Sequence, residues 1–517
     1  MTSQADEPPP DAAIQAELPH PPPSAKANDG HDAPALPPLV STALIVALAA
    51  LIWVWTGWDQ PNFLPEKKWR LLAVFLPTIL ALMLRPMPGG AVVLMAVMAT
   101  VIVGALDMET ALAGYASPTV WMVLAAYFMA RAFIKTGLAR RVALTFVRLL
   151  GRTTLGLSYA LLATDTLLAG LIPSNAARVG GVVLPIARSL AELYGSHPGK
   201  SAALLGTFLM TVLYQGDVVA CALFITGQAS NPLAARQAAD MTADVPGGPL
   251  TLTYATWTWY ALLPALVNLA VLPWIVYRWQ KPEITETPAA AEFAQAELTK
   301  MGPLTRSDWI AVWTFAGVCF LWIVEGVFRL TPLDSTSYTA LIALAGVSVL
   351  LISGVLSWHD CVAEHGAWDV FIWYGGLVQL GYELHKAKLT ALFAQFVVER
   401  LTGLELLPLF ALVLLIYFYA HYAFASITVH LVSMYPAFVG VLIAAGAPPL
   451  MTAASFAYLA NMSAGLTHYG TTPAPIIFSL GYVSQGTWWR VGLGMSFINI
   501  TIWMTVGVAW WKLLGLW

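Results

Sequence analysis

LTHYGTTPAPIIF, residues 466–478, lies inside an apolar stretch that runs from about 450 to 480. Gly470, Pro473 and Pro475 forbid one continuous helix across it, because proline lacks a backbone donor and clashes with the preceding turn. The surrounding composition calls for a membrane. Of 517 residues, 58% are hydrophobic and 10% are charged, whereas a soluble domain carries about a quarter charged residues. Runs long enough to cross a hydrocarbon core of roughly 30 Å recur along the chain. Lipid offers the backbone no partners, so runs rich in Leu, Ala and Val satisfy themselves as helices. The quoted stretch is therefore a break inside a membrane helix, and the fold class is all-α and polytopic.

Three further polar interruptions match it. LIPSNAARVGGVVLP (171–185) has Pro173, Ser174 and Asn175 to stop one helix and cap the next. ITGQASNPLAA (225–235) breaks a span at Gly227, Asn231 and Pro232, and FASITVHLVSMYP (424–436) interrupts a second long run. The apolar stretches 154–190 and 404–445 are too long for one crossing, so each reads as a re-entrant helical hairpin, its tip tolerated only inside protein or a water-filled cavity.

The rest of the chain organises around these four points. Residues 1–38 form a Pro-rich tail, too poor in large apolar side chains to order itself, and no basic segment precedes the first run to mark a signal peptide. Residues 39–277 make a first transmembrane repeat and 309–517 a second, inverted one, joined by a polar, cytoplasmic linker at 278–308. Trp121 and Trp373, Gly151 and Gly403, Ser174 and Ser426, and Arg178 and His430 each differ by 252 positions, which supports the repeat. Residues 138–152 space Arg140, Arg141, Arg148 and Arg152 around an apolar stripe, as an interfacial amphipathic helix does. A cytoplasmic amino terminus places the larger share of the 25 Lys and Arg residues inside.

Each break frees backbone N–H groups at a new helix start, where the partial charge is about +0.5. Four such starts facing one cavity suit a dianion, with Ser174, Asn175, Ser426, Thr428, Thr471 and Thr472 as side-chain donors. The bland alternative is that these residues only kink and pack helices. Arg178 and His430 occupy equivalent places, and a cation at membrane depth marks a site by default. The alternative for Arg178 is an ion pair with Asp165 or Asp217 that holds its hairpin together. His468, beside Tyr469, is a weaker third candidate for charge compensation. A net charge of −3 without a basic face argues against nucleic acid, and Cys221, Cys319 and Cys361 are too scattered for a metal site or a disulfide framework. No cofactor is implied, and no catalytic residue is assigned. His365 and Asp369 form an H-x-x-x-D pattern that leaves an intramembrane acyltransferase as a remote alternative; no H-E-x-x-H or G-x-S-x-G occurs.

SNAARVGGVVLPI, ASITVHLVSMYPAF and LTHYGTTPAPIIF, with TVWMVLAAYFMARAFIKTGLARR (119–141) and GAWDVFIWYGGLV (366–378), resemble signatures of the divalent-anion/sodium-symporter family. The branch they resemble contains bacterial citrate and dicarboxylate antiporters and plastid 2-oxoglutarate/malate translocators. The resemblance covers about residues 39–517. It implies eleven spans with two hairpins, a homodimer in a bacterial inner membrane, elevator-type movement, and di- or tricarboxylate substrates. It also implies that carboxylates bind at the hairpin tips Ser174, Asn175, Ala176 and Ser426, Ile427, Thr428. The breaks Ser230, Asn231, Pro232 and Thr471, Thr472, Pro473 complete that set. Three positions depart from the pattern: Ala176 where Thr is usual, Ile427 where sodium symporters carry Asn, and Thr472 where this branch carries Gly. Losing the Asn oxygen disfavours sodium, so sodium-independent antiport is expected, with sodium-coupled symport as the alternative.

Overall fold

The structure, a computed structural model, describes residues 37–58, 66–328, 333–400 and 404–516. The first 36 residues of the expected Pro-rich tail, and Gly403 of the repeat pairs, lie outside the described residues. Among those described, every named element is helical, and the only β-type pairing is one isolated bridge between Thr153 and Glu286. Seven described helices are long and apolar enough to cross a membrane: Gly206–Leu223, Tyr254–Gln280, Arg306–Phe328, Ser335–Ile352, Leu406–Ala423, Ile427–Ala444 and Gln485–Leu513. The all-α, membrane-spanning expectation holds.

Both long interrupted runs fold as two helices around a polar turn. In the first, Thr154–Ala169 starts at Thr153, whose side chain accepts from the Gly156 amide, the usual way to satisfy an orphan donor at a helix start. The chain breaks through Gly170 to Asn175 and restarts as a π-helix, Ala176–Val183, that continues as Leu184–Leu193. In the second, Leu406–Tyr419 tightens to a 3₁₀ turn at Ala420–Ala423, and Ser426 caps the restart at Ile427–Ala444.

The two breaks share one geometry. Gly206–Leu223 ends in a 3₁₀ turn, Ile225–Gly227, before Asn231–Met241; Pro449–Ser463 ends in Ala464–Leu466 before Pro473–Ser479. Pro232 and Pro473 both sit in the first turn of the restarting helix, where a missing N–H costs nothing. In each break the chain folds back onto the last turn it has left. A Cβ on Gly227 would stand 2.6 Å from the Cys221 carbonyl oxygen, and one on Gly470 would stand 2.3 Å from that of Ala464. Only glycine permits so close an approach.

These pieces pack crosswise. Asn231–Met241 from the first break lies against Ile427–Ala444 of the second hairpin, while Pro473–Ser479 lies against the π-helix of the first. The amphipathic helix Leu138–Leu150 packs on Pro288–Met301, which the sequence had offered only as polar linker. Arg140 and Lys300 both reach Glu297 at 2.8 Å, and the Thr287 amide donates to the Arg152 carbonyl. Arg306–Phe328 turns Trp313 (68% exposed) and Phe328 (67%) outward, as a lipid-facing helix does.

Candidate functional site

The first hairpin is built around Arg178, which has no exposed surface. Its Nε donates to Asp165 Oδ1 and its Nη2 to Asp217 Oδ1, each at 2.6 Å. Nη1 donates to the carbonyls of Ile172 and Gly227 at 3.0 Å, and Nη2 also meets Cys221 Sγ at 3.2 Å. A guanidinium has five N–H donors, and five contacts take them. Arg178 therefore ties its own hairpin to the Gly206–Leu223 helix and to the first break. This corrects the reading of Arg178 as a charge-compensating residue: two carboxylates already face it, so it presents no unbalanced positive charge to a cavity.

His430, equivalent to Arg178 by sequence position, is also fully buried, and it has no carboxylate partner among the described residues. Its Nε2 lies 2.9 Å from the Tyr417 carbonyl, and its Nδ1 lies 3.1 Å from Nδ1 of His421. His421 Nε2 in turn lies 2.8 Å from the Gly470 carbonyl. The two halves thus solve one problem by different chemistry. The glycine carbonyl of each break is held by its own hairpin, through one arginine in the first half and through a histidine pair in the second.

The remaining candidates divide by neighbourhood. Asn175 donates to Thr471 Oγ1 at 3.2 Å and to Asp217 at 3.4 Å, joining the first tip to the second break. Asn231 bridges its own break by donating to the Cys221 and Phe224 carbonyls, and accepts from Asn461 at 2.9 Å. Ser174 and Ser426 accept amides from Ala177 and Val429, so both hydroxyls cap restarting helices. Ser230 and Thr471 are buried, as are Pro232 and Pro473. Ala176 and Thr472 are half-buried. Ile427 and Thr428 are buried at the second tip, and no described residue hydrogen-bonds the Thr428 hydroxyl. His468 belongs elsewhere: its Nδ1 accepts from Trp489, and its ring packs 4.4 Å from that of Phe478.

Sequence reasoning missed His421 and Asn461 altogether. The signal for His421 was a polar residue at the end of an otherwise apolar hairpin arm, nine positions before His430. Arg85, which reaches the Ala425 carbonyl beside the second tip, was likewise missed. A cleft bounded by Arg236, Asp240, Tyr382, His385, Val432 and Pro436 opens between the crosswise helices, but none of the tip residues lines it. No group of three or more His, Cys, Asp or Glu among the described residues could hold a metal ion. What the arrangement offers is a set of helix starts and side-chain hydroxyls, while the amides of Asn175 and Asn231 and the carbonyls of Gly227 and Gly470 already have protein partners.

Comparison with known proteins shows the chain's family and a likeness of fold. Residues 39–517 match the family described as the sodium:sulfate symporter transmembrane region. YflS of Bacillus subtilis (strain 168) is 40% identical over 480 residues, which is 93% of this chain and 97% of that protein. Dicarboxylate transporter 1, chloroplastic, of Arabidopsis thaliana is 39% identical over 477 residues, 92% of this chain and 83% of the relative. The citrate/succinate antiporter of Escherichia coli (strain K12) is 31% identical over 481 residues, 88% and 94% respectively. Among solved structures, the Alcanivorax borkumensis YdaH transporter superposes with a TM-score of 0.54 at 14% identity, covering 93% of this chain and 99% of its own. Neisseria gonorrhoeae MtrF gives 0.55 at 15% identity, with 89% and 97% covered. These two establish a likeness of fold.

Proposed function

The chain belongs to the divalent-anion/sodium-symporter family, matched through its sodium:sulfate symporter transmembrane region, and from that premise we propose that it exchanges small di- or tricarboxylates across the membrane without sodium. It is a membrane transporter, not an enzyme, since the relatives it matches are named as transporters. Substrates of the malate, succinate and citrate type are drawn from the names of those relatives, and 2-oxoglutarate from the family resemblance alone. Carboxylates are received at Ser174, Asn175, Ser426 and Thr428, and at the breaks around Asn231 and Thr472. Two inverted repeats, 39–277 and 309–517, move a transport part against a scaffold in elevator fashion, in a homodimer. The amino terminus and the 278–308 linker face the cytoplasm of a bacterial inner membrane.

One observation carries the sodium-independent reading. In sodium-coupled carriers, carbonyls freed at unwound helices coordinate the ion. Here the Gly227 carbonyl accepts from Arg178, and that of Gly470 faces His421 Nε2. Those oxygens are taken by protein, and Ile427 adds no other.

The same geometry supports obligatory exchange. An empty site leaves helix starts and the Thr428 hydroxyl without an anion, and carrying unsatisfied polar groups through an apolar barrier is costly. A bound dianion satisfies them. Proteoliposomes loaded with dicarboxylate in sodium-free buffer are expected to take up labelled substrate, and empty vesicles are not. Uptake into empty vesicles driven by a sodium gradient would replace this reading with symport.

A further inference from the structure

We propose that the His421–His430 pair is a proton-binding site, holding one excess proton between the two Nδ1 atoms as the positive charge of the second hairpin. The argument begins with what each ring nitrogen faces. A backbone carbonyl only accepts hydrogen bonds. The Gly470 carbonyl lies 2.8 Å from His421 Nε2, and the Tyr417 carbonyl lies 2.9 Å from His430 Nε2. Both Nε2 atoms must therefore carry hydrogen. Two neutral rings of that tautomer would direct bare lone pairs at one another across 3.1 Å. Turning either ring over would aim a C–H at a buried carbonyl instead. The nearest alternative donor is the Ser463 hydroxyl, 3.4 Å from His430 Nδ1, but it donates to the Ala460 carbonyl at 2.8 Å. One added proton resolves every conflict: it makes the 3.1 Å contact an N–H···N hydrogen bond of ordinary length, and all four ring nitrogens are then satisfied.

A buried cation needs compensation, and the surroundings supply it. His421 lies in the 3₁₀ turn that ends Leu406–Tyr419, and the Tyr417 carbonyl belongs to that helix's last turn. Helix carboxyl ends carry partial negative charge. The Tyr417 ring covers His430 at 4.4 Å between centroids, and the Phe424 ring lies at 5.1 Å, so aromatic faces screen the charge on two sides. Charge-assisted hydrogen bonds to the two carbonyls add to this. The other titratable or charged groups around the pair are few. Tyr417 comes from the preceding helix, Arg85 approaches from the Glu66–Leu84 helix through the Ala425 carbonyl, and His468 and Tyr469 come from the break. His468 is turned to Trp489 and Tyr469 to the Tyr422 carbonyl. No described carboxylate contacts either ring.

Titration is then a simple step: hydroxide removes the bridging proton as water and leaves two neutral, mutually repelling rings. The tie between the second hairpin and the Gly470 break loosens, and the hairpin loses its charge. The transport consequence rests on the exchange reading above; the proton itself does not.

The test has two arms. Full-length protein labelled with [15N]histidine, in lipid vesicles, is followed by solid-state NMR from about pH 5 to about pH 10. His421→Asn and His430→Asn assign the signals among the nine histidines. The expected result is a pair of Nδ1 resonances sharing one proton, which titrate together and vanish together in either variant. Two rings that keep a single proton each, with both Nδ1 atoms bare across the whole range, would overturn the proposal. In the second arm, dicarboxylate exchange is measured above about pH 6.5, where the substrate stays ionised. Wild-type exchange is expected to fall about tenfold per pH unit once the pair has titrated, and His430→Arg, which supplies a permanent cation, is expected to flatten that dependence. Exchange that persists unchanged after NMR shows the proton gone would confirm the proton site and overturn only its coupling to transport. A shared proton seen by NMR in a protein that exchanges no dicarboxylate would remove only the transport reading.

Discussion

Arg178 shows how a single side chain can look like a site and behave as a fastener. Its five contacts reach two carboxylates, two carbonyls and a thiol, all inside the protein. Removing one partner of a buried ion pair costs about 3–5 kcal/mol, because the partner charge is left unpaired. Arg178→Met is therefore expected to lower the thermal unfolding midpoint of the purified protein sharply, well before any question of coupling arises. An unchanged midpoint would return Arg178 to the role of a free cation. Thr428 should behave in the opposite way. Its hydroxyl has no described partner, so Thr428→Ala is expected to leave the midpoint nearly unchanged. Losing a hydrogen bond to a charged group is worth about 1.5–3 kcal/mol, so dicarboxylate affinity should drop roughly tenfold or more, read by titration calorimetry. Equal affinity in a well-folded variant would remove the second tip from the site.

At the scale of elements, the two breaks depend on glycine in a way that can be tested by sign. Alanine at Gly227 or Gly470 would press a Cβ into a carbonyl oxygen at 2.6 or 2.3 Å, and the nearest other atoms are backbone too, of Cys221 and Ala464. Overpacking of this kind costs typically 1–3 kcal/mol, so both variants are expected to show reduced folded yield and lower midpoints. Gly181, in the restarting π-helix, has nothing within 4 Å of a Cβ. Gly181→Ala should be neutral or stabilising by about 0.5–1 kcal/mol. If all three variants melt alike, the fold-back account of the breaks is wrong. The breaks and hairpins were legible because Gly, Pro, Ser and Asn interrupt long apolar runs, and that signal is local. What was not legible depends on distance. His421 meets a carbonyl 49 residues away, and nothing in its own run announces that. Pro288–Met301 reads as polar linker because the residues it buries are Ala290, Ala291, Ala294 and Glu297, too small and too polar to form an apolar stripe. The rival readings of Arg178 could be named from sequence but were decided only by two distances of 2.6 Å.

For the molecule as a whole, the proposed inversion of the two repeats predicts opposite sidedness for equivalent helices. Arg152 follows the amphipathic helix Leu138–Leu150, and Lys388 precedes its counterpart Leu389–Arg400; both are exposed. With Cys221, Cys319 and Cys361 replaced, cysteines at these two positions should react with an impermeant thiol reagent from opposite faces of the membrane. Labelling of both from one face would rule out inversion. The crosswise packing has a different kind of consequence, which belongs to genetics. Asn231 and Asn461 are 230 residues apart in sequence, yet one amide serves both through a contact of 2.9 Å. An allele carrying Asn461→Leu takes away only the donor to Asn231 Oδ1, since the Asn231 amide keeps the Cys221 and Phe224 carbonyls, and leaving one buried acceptor unpaired costs about 1–3 kcal/mol. Selection for intragenic revertants of that allele, scored by recovered folded protein, should therefore return second-site suppressors in the near half of the gene, at codons around 231.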